Sequence, residues 1–397
     1  MGARPSGVCV SGPLVPYVAG FRGELTLQGY RPLAVTDQLR VLAHLSRWMA
    51  GHGLEPTGLD TERIEQFLEA RRAEGYRLWT SPKGLEPLVS YLRGCGVVPP
   101  ANVPPPSEAD LLVGEFRAYL LNERAIAASS AASYLHVARL FIDALPGDGG
   151  LRELTAVEVL GFVAEQCKVR NPAYIACGVR SFLRFCHLRG LIATPLAGAV
   201  PRVANRQRSK LPVSVDAAAI KKLLGSCDRR SAFGRRDFAV LNLLARLGLR
   251  AGEVVAMELG DIDWRAGELV VRGKGGRRDR MPLPADVGQA VAAWLSHGRG
   301  SPACRNVFTR VRAPRRALTS AGVSALVSAA CRRAGLPEVH AHRLRHAAAT
   351  ELLRAGANLE EIGLVLRHEL TLTTSIYAKV DLAALVPLAR PWEGARP

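Results

Sequence analysis

Residues 267–284 read GELVVRGKGGRRDRMPLP, and this stretch decides the fold class. An apolar extended run leads into a turn carrying Gly273, Gly275 and Gly276, and a second extended run follows. Two short strands across a Gly-rich turn read as an antiparallel hairpin. On both sides the pattern is helical. SVDAAAIKKLLGSC (214–227) opens with a Ser/Asp cap and continues as a helix. RRDFAVLNLLARLG (235–248) is a second, strongly apolar helix. NVFTR (306–310) reads as another short strand, helices return from about 318, and ANLEEIGLVLR (357–367) and TLTTSIYAKV (371–380) supply two more. The expected class is mainly α with a small antiparallel β-sheet.

Proline-rich stretches mark the seams further out. Residues 97–107, VVPPANVPPPS, hold five prolines and cannot continue a helix or a central strand. Residues 195–212, PLAGAVPRVANRQRSKLP, form a second seam, whose centre carries Arg202, Arg206, Arg208 and Lys210 without an acid. The expected organisation is an N-terminal helical module at 1–105, a second helical module at 106–200, a basic linker at 201–211 and a third domain at 212–397. The two modules resemble each other. At a constant offset of 95, Leu39, Leu42 and Leu45 match Tyr134, Val137 and Leu140; Leu59, Ile64, Phe67 and Leu68 match Leu154, Val159, Phe162 and Val163. Any two amphipathic helices align somewhere, but one register spanning two helices favours duplication.

Of 397 residues, 48% are hydrophobic, enough to bury sizeable cores. No apolar run approaches the ~18 residues a membrane span needs, and the N-terminal stretch lacks the continuous apolar core of a signal peptide. A cytoplasmic protein is the expectation. The eight cysteines are scattered without a CxxC pair, which argues against a disulfide framework and a zinc ribbon. A formal charge of +18 must be solvated or face a polyanion. Arginine-rich composition can also follow from GC-rich coding, so charge alone decides little; nucleic acid is the leading partner.

HRLRH (342–346) places two histidines at i and i+4 on one helical face, the spacing of a zinc helix. A metal reading fails on charge: Arg343 and Arg345 sit beside the histidines, and AHRLRHAAAT contains no acid. An anion suits a helix N-terminus with a guanidinium fork better, although a capped surface helix would also account for these residues. GLRAGEV (248–254) carries Arg250, readable as a cation closing the apolar helix before it, and then Glu253. VRGKGGRRDR (271–280) sets five basic residues in the hairpin, by itself readable as a solvated turn. It is not a P-loop, since it lacks GxxxxGK[ST] and lies between strands. Tyr377 is the only tyrosine after Tyr174. A lone tyrosine is usually packing, but the ordered set Arg250, Lys274, His342, Arg345, His368 and Tyr377 is far more specific than any member.

Those strings, GLRAGE, VRGKGGRRDR, HRLRH and a histidine nine residues before a tyrosine, resemble the catalytic domain of the tyrosine recombinase (phage integrase) family over about 180 residues. The middle segment resembles that family's helical core-binding domain, so the resemblance implies a recombinase-type catalytic domain behind two SAM-like helical modules. It implies that Tyr377 attacks a DNA phosphodiester, leaving a 3′-phosphotyrosine and a free 5′-hydroxyl. Arg250 and Arg345 would grip the non-bridging oxygens, Lys274 protonate the departing 5′-oxygen, His342 transfer a proton and His368 hydrogen-bond the phosphate. No cofactor, metal or ATP is implied. The partners would be double-stranded DNA and further copies of the chain, as a tetramer on two sites. Arg202, Arg206, Arg208, Lys210, Arg272 and Arg277 are the candidate DNA contacts. Two features depart from the family pattern: Arg367 stands where glycine usually precedes the second histidine, and the 1–105 module is additional. The alternatives are a non-catalytic DNA-binding accessory protein and a topoisomerase-like enzyme with the same chemistry.

Overall fold

A computed structural model describes residues 7–100, 105–145, 150–203, 215–273 and 276–367. The fold is mainly α with one three-stranded antiparallel sheet among the described residues. The chain divides into two compact units, Val103–Lys210 and the remainder, Met1–Asn102 with Leu211–Pro397.

The N-terminal segment contains α1 (Val18–Leu27), α2 (Pro32–Gly51), α3 (Thr61–Ala73) and α4 (Pro82–Gly94). Their apolar faces meet in a core that includes Phe21, Leu39, Leu42, Phe67 and Leu88. The unit Val103–Lys210 contains α5 (Glu108–Ala118), α6 (Ala128–Ile142), α7 (Ala156–Val169) and α8 (Pro172–Leu188), around Phe116, Phe141, Phe182 and Phe185. Helices α6 and α8 approach so closely that a Cβ on Gly178 would lie 2.5 Å from that of Val137. Helices α3 and α7 start from side-chain caps 95 positions apart. Helix α3 is capped by Asp60, whose side chain accepts from the N–H of Arg63, and α7 by Thr155, which accepts from Glu158. Both caps supply an acceptor for N–H groups that the first turn leaves unpaired.

The third segment builds its own core. Helices α9 (Ala217–Gly225), α10 (Ala232–Arg246), α11 (Ala251–Ala256), α12 (Ala285–His297), α13 (Ser320–Ala334), α14 (Ala341–Arg354) and α15 (Leu359–Val365) surround strands β1 (Ile262–Asp263), β2 (Glu268–Arg272) and β3 (Arg278–Pro282). Leu269 faces Ile262 on one side and Met281 on the other, so all three bury one face of the sheet. Residues 239–245 of α10 are all buried because the helix is central, packed by α12 and α14. Trp294 on α12 is fully buried and donates its indole N–H to the Val307 carbonyl at 2.8 Å. NVFTR is not a strand: it makes single bridges, Asn306 with Glu258 and Thr309 with Ala317. One partner follows α11 and the other precedes α13, so the two bridges do not join into a ladder.

Candidate active site

Helix α10 ends at Arg246, and the chain turns through Gly248, which has φ +59°. A Cβ there would lie 2.6 Å from Leu366 Cδ2, so both the conformation and the space call for glycine. The turn delivers Arg250 to the N-cap of α11. This corrects the reading of Arg250 as a cation closing the preceding helix: it opens the next one. Three residues on, the Glu253 carboxylate accepts the Arg250 backbone N–H at 2.8 Å and its Nη1 at 2.6 Å. Glu253 is 5% exposed and the Arg250 side chain 42%, so the guanidinium reaches from a buried acid toward solvent.

Helix α14 brings HRLRH alongside. His340 is its N-cap, which sets His342 in the first turn. The alanines 347–349 and Leu344 form the buried face against α10 and α15. Arg345, 1% exposed, lies on that buried side: Nη1 donates to the Gly248 carbonyl at 2.5 Å and Nη2 to the Leu366 carbonyl. Its Nη1 is also 3.9 Å from Glu253 Oε2. The His342 and His346 rings meet edge to face, centroids 4.3 Å apart. Desolvation, then the charges of Arg345 and Arg250, push the His342 imidazole below its ordinary value. For His346, desolvation, His342 and the arginines 345 and 343 push it down to about 4. Both rings are therefore neutral near pH 7. Among the described residues no group of three or more His, Cys, Asp or Glu stands together that could hold a metal.

The hub of the site is a residue that sequence reasoning mentioned without a role. Glu253 also receives Nη2 of Arg367 on Oε2 at 2.7 Å, so three guanidinium groups surround one carboxylate. Burial alone would raise this carboxyl, but the charge of Arg367 and the hydrogen bonds from Arg250 hold it below its usual range. Its place three residues after an N-cap was the available signal, since acids favour a first turn.

The other candidates lie elsewhere. Arg272, on β2, turns to Asp261 and Glu258, both at 2.9 Å, and is committed to those carboxylates. Arg277 donates to Asp279 at 2.8 Å beside the hairpin turn. Arg202 is exposed and lies outside any helix or strand. Lys274, His368 and Tyr377, together with Arg206, Arg208 and Lys210, lie outside the described residues. The structure thus brings together Arg250, His342 and Arg345 of the six proposed catalytic groups, with Glu253 and Arg367 added.

A model of the phage integrase family matches residues 214–383. The putative integrase/recombinase y4rA of Sinorhizobium fredii (strain NBRC 101917 / NGR234) is 37% identical over 393 residues, 96% of this chain and 95% of that protein. Tyrosine recombinase XerD of Listeria monocytogenes serotype 4b (strain F2365) is 27% identical over 281 residues, 68% of this chain and 94% of its own. Among solved structures, the XerH site-specific recombinase in a post-cleavage complex with palindromic difH substrate superposes with a TM-score of 0.55 at 18% identity, covering 83% of this chain and 95% of that one. A lambda integrase(75-356) dimer bound to a COC' core site gives 0.52 at 18% identity, covering 72% and 98%. These two likenesses are of fold.

Proposed function

Because the chain belongs to the phage integrase family of tyrosine recombinases, we propose that it cuts and rejoins DNA strands through a 3′-phosphotyrosyl link at Tyr377, without metal or ATP. The Tyr377 oxygen attacks the scissile phosphorus and its proton passes to His342. The bond from phosphorus to the 5′-oxygen breaks, and Lys274 protonates the leaving oxygen. Arg250 and Arg345 neutralise charge gathering on the non-bridging oxygens, and His368 hydrogen-bonds the same phosphate. A phenol of pKa ~10 is mostly protonated at neutral pH, so it needs both a proton acceptor and a cationic surround. One phosphate ester replaces another, and resealing therefore needs no external energy. Four copies acting on two duplex sites would exchange strands. Arg202, Arg206, Arg208 and Lys210 would track backbone phosphates, giving an affinity that falls steeply with salt. Residues 1–105 would be a duplicated core-binding module ahead of the one at 106–200, with 201–211 as linker and 212–397 as catalytic domain.

The observation that carries the reading is that Arg250 and Arg345 gather at one buried carboxylate, with a neutral His342 within the field of both guanidinium groups. A nicked suicide duplex carrying the chain's own site tests it. A covalent protein–DNA adduct should form in the presence of EDTA and vanish in Tyr377→Phe while DNA binding persists. Binding with no adduct from the intact chain would instead mark a DNA-binding accessory protein. An adduct that survives Tyr377→Phe would remove that residue from the chemistry. A two-site exchange assay separates recombination from strand relaxation.

A further inference from the structure

Arg367 adopts φ +53°, left-handed backbone that side chains other than glycine, asparagine and aspartate rarely accept. Its side chain is buried, its Nε has no hydrogen-bond partner among the described residues, and its Nη1 touches Met281 Sδ and the Val365 carbonyl. An arginine in a strained conformation, with a buried donor unmet, persists only where another contact holds it. That contact is Glu253, at 2.7 Å between two nearly inaccessible groups.

We propose that Arg367 is a positioning residue of the strand-cutting site: it takes over the Glu253 carboxylate, so that the Arg250 guanidinium can turn from Glu253 to a DNA phosphate. The inference rests on the reading of Arg250 as a phosphate-binding group. The need for such a device follows from burial. Glu253 cannot be left as an uncompensated charge. Arg345 stands at 3.9 Å with its two Nη atoms on the Gly248 and Leu366 carbonyls, which leaves Arg250 as the close counter-ion if Arg367 is absent. Arg250 would then stay clamped on its own helix. With Arg367 in place, Oε2 is held independently, and the Oε1 contact of Arg250 is released at small cost when a phosphate arrives. The same bond ties the end of α15, one residue before His368, to the start of α11.

Single-turnover cleavage of the suicide duplex, with DNA affinity measured on the same preparations, tests this through a double-mutant cycle between positions 253 and 367. Arg367→Gly relieves the backbone strain and removes the charge; Arg367→Met removes the charge and keeps the bulk. Each should slow cleavage at least tenfold with DNA affinity unchanged within twofold. In a Glu253→Gln background, where no buried charge awaits a counter-ion, the same changes should cost less than threefold. Arg367→Lys should recover part of the loss. Equal losses in both backgrounds, or loss of binding and cleavage in proportion, would overturn the proposal while leaving the catalytic reading standing. Absence of any adduct from the intact chain would overturn the catalytic reading and this inference with it.

Discussion

His342 and His346 show how one residue's surroundings reach into behaviour. Both rings stay neutral because partial desolvation and nearby guanidinium groups oppose a further positive charge. The unfolded chain protonates His346 near pH ~6.5, whereas the folded chain refuses the proton until about 4. Stability contributed by keeping this ring neutral is complete above the unfolded value and is lost as pH falls toward the folded one. Between pH 7 and 5 the loss should be about 1 kcal/mol, reduced from the full linkage value because the ring is partly solvated. Urea midpoints at the two pH values, compared with His346→Gln, read it directly: the variant should lose less stability on acidification. An identical drop in both proteins would show that the ring titrates normally. In the proposed mechanism His342, pushed the same way, would keep its capacity to accept the Tyr377 proton below the ordinary imidazole range. The acid limb of the cleavage profile belongs there accordingly.

The turn between α10 and α11 sets the site's geometry at the level of elements. Gly248 combines a left-handed φ with contact against the buried Leu366, and its carbonyl accepts from Arg345. Gly248→Ala should destabilise the domain by about 2 kcal/mol, the left-handed cost for a residue with a Cβ plus some crowding. Denaturant unfolding measures it, and a midpoint within error of wild type would mean the turn relaxes freely. This element also marks where reading the sequence stops. The hairpin and the helices were legible because period and turn residues are local properties. Arg250 was read as the end of one helix, since nothing in the string reports that Gly248 adopts positive φ. NVFTR has strand composition, yet strand identity needs a neighbour with a matching ladder. Arg272 read as one more basic hairpin residue, because its carboxylate partners depend on how β1 and the preceding turn fold back. Glu253 and Arg367 are 114 positions apart, and their bond exists only after α11 and α15 have packed.

Across the whole molecule, the N-terminal segment is joined to the third segment by more than chain continuity. The Arg315 backbone N–H donates to the Gln28 carbonyl at 2.9 Å, and the Arg315 side chain passes between Gly29 and Gly300. A Cβ on Gly29 would lie 2.6 Å from Arg315 Cδ, and one on Gly300 would lie 2.2 Å from its Nη1, so the arginine has glycine on both sides. Desolvation of Tyr30, opposed by the charges of Arg316 and Arg310, raises its phenol, which shows the same contact from the other side. Gly29→Ala should therefore loosen the docking of residues 1–100, and the proline-rich stretch at 97–107 should be cut several times faster by a protease of broad specificity. The substitution also strains a φ of +81°, a cost that must be separated from the contact. Gly53→Ala supplies the comparison: φ is +64° in the same segment, with nothing within 4 Å of the added carbon. If the contact with Arg315 holds the segments together, Gly29→Ala accelerates cleavage and Gly53→Ala does not. Equal acceleration would assign the effect to backbone strain inside the N-terminal helices, and the Gln28–Arg315 junction would then have no part in holding the two segments together.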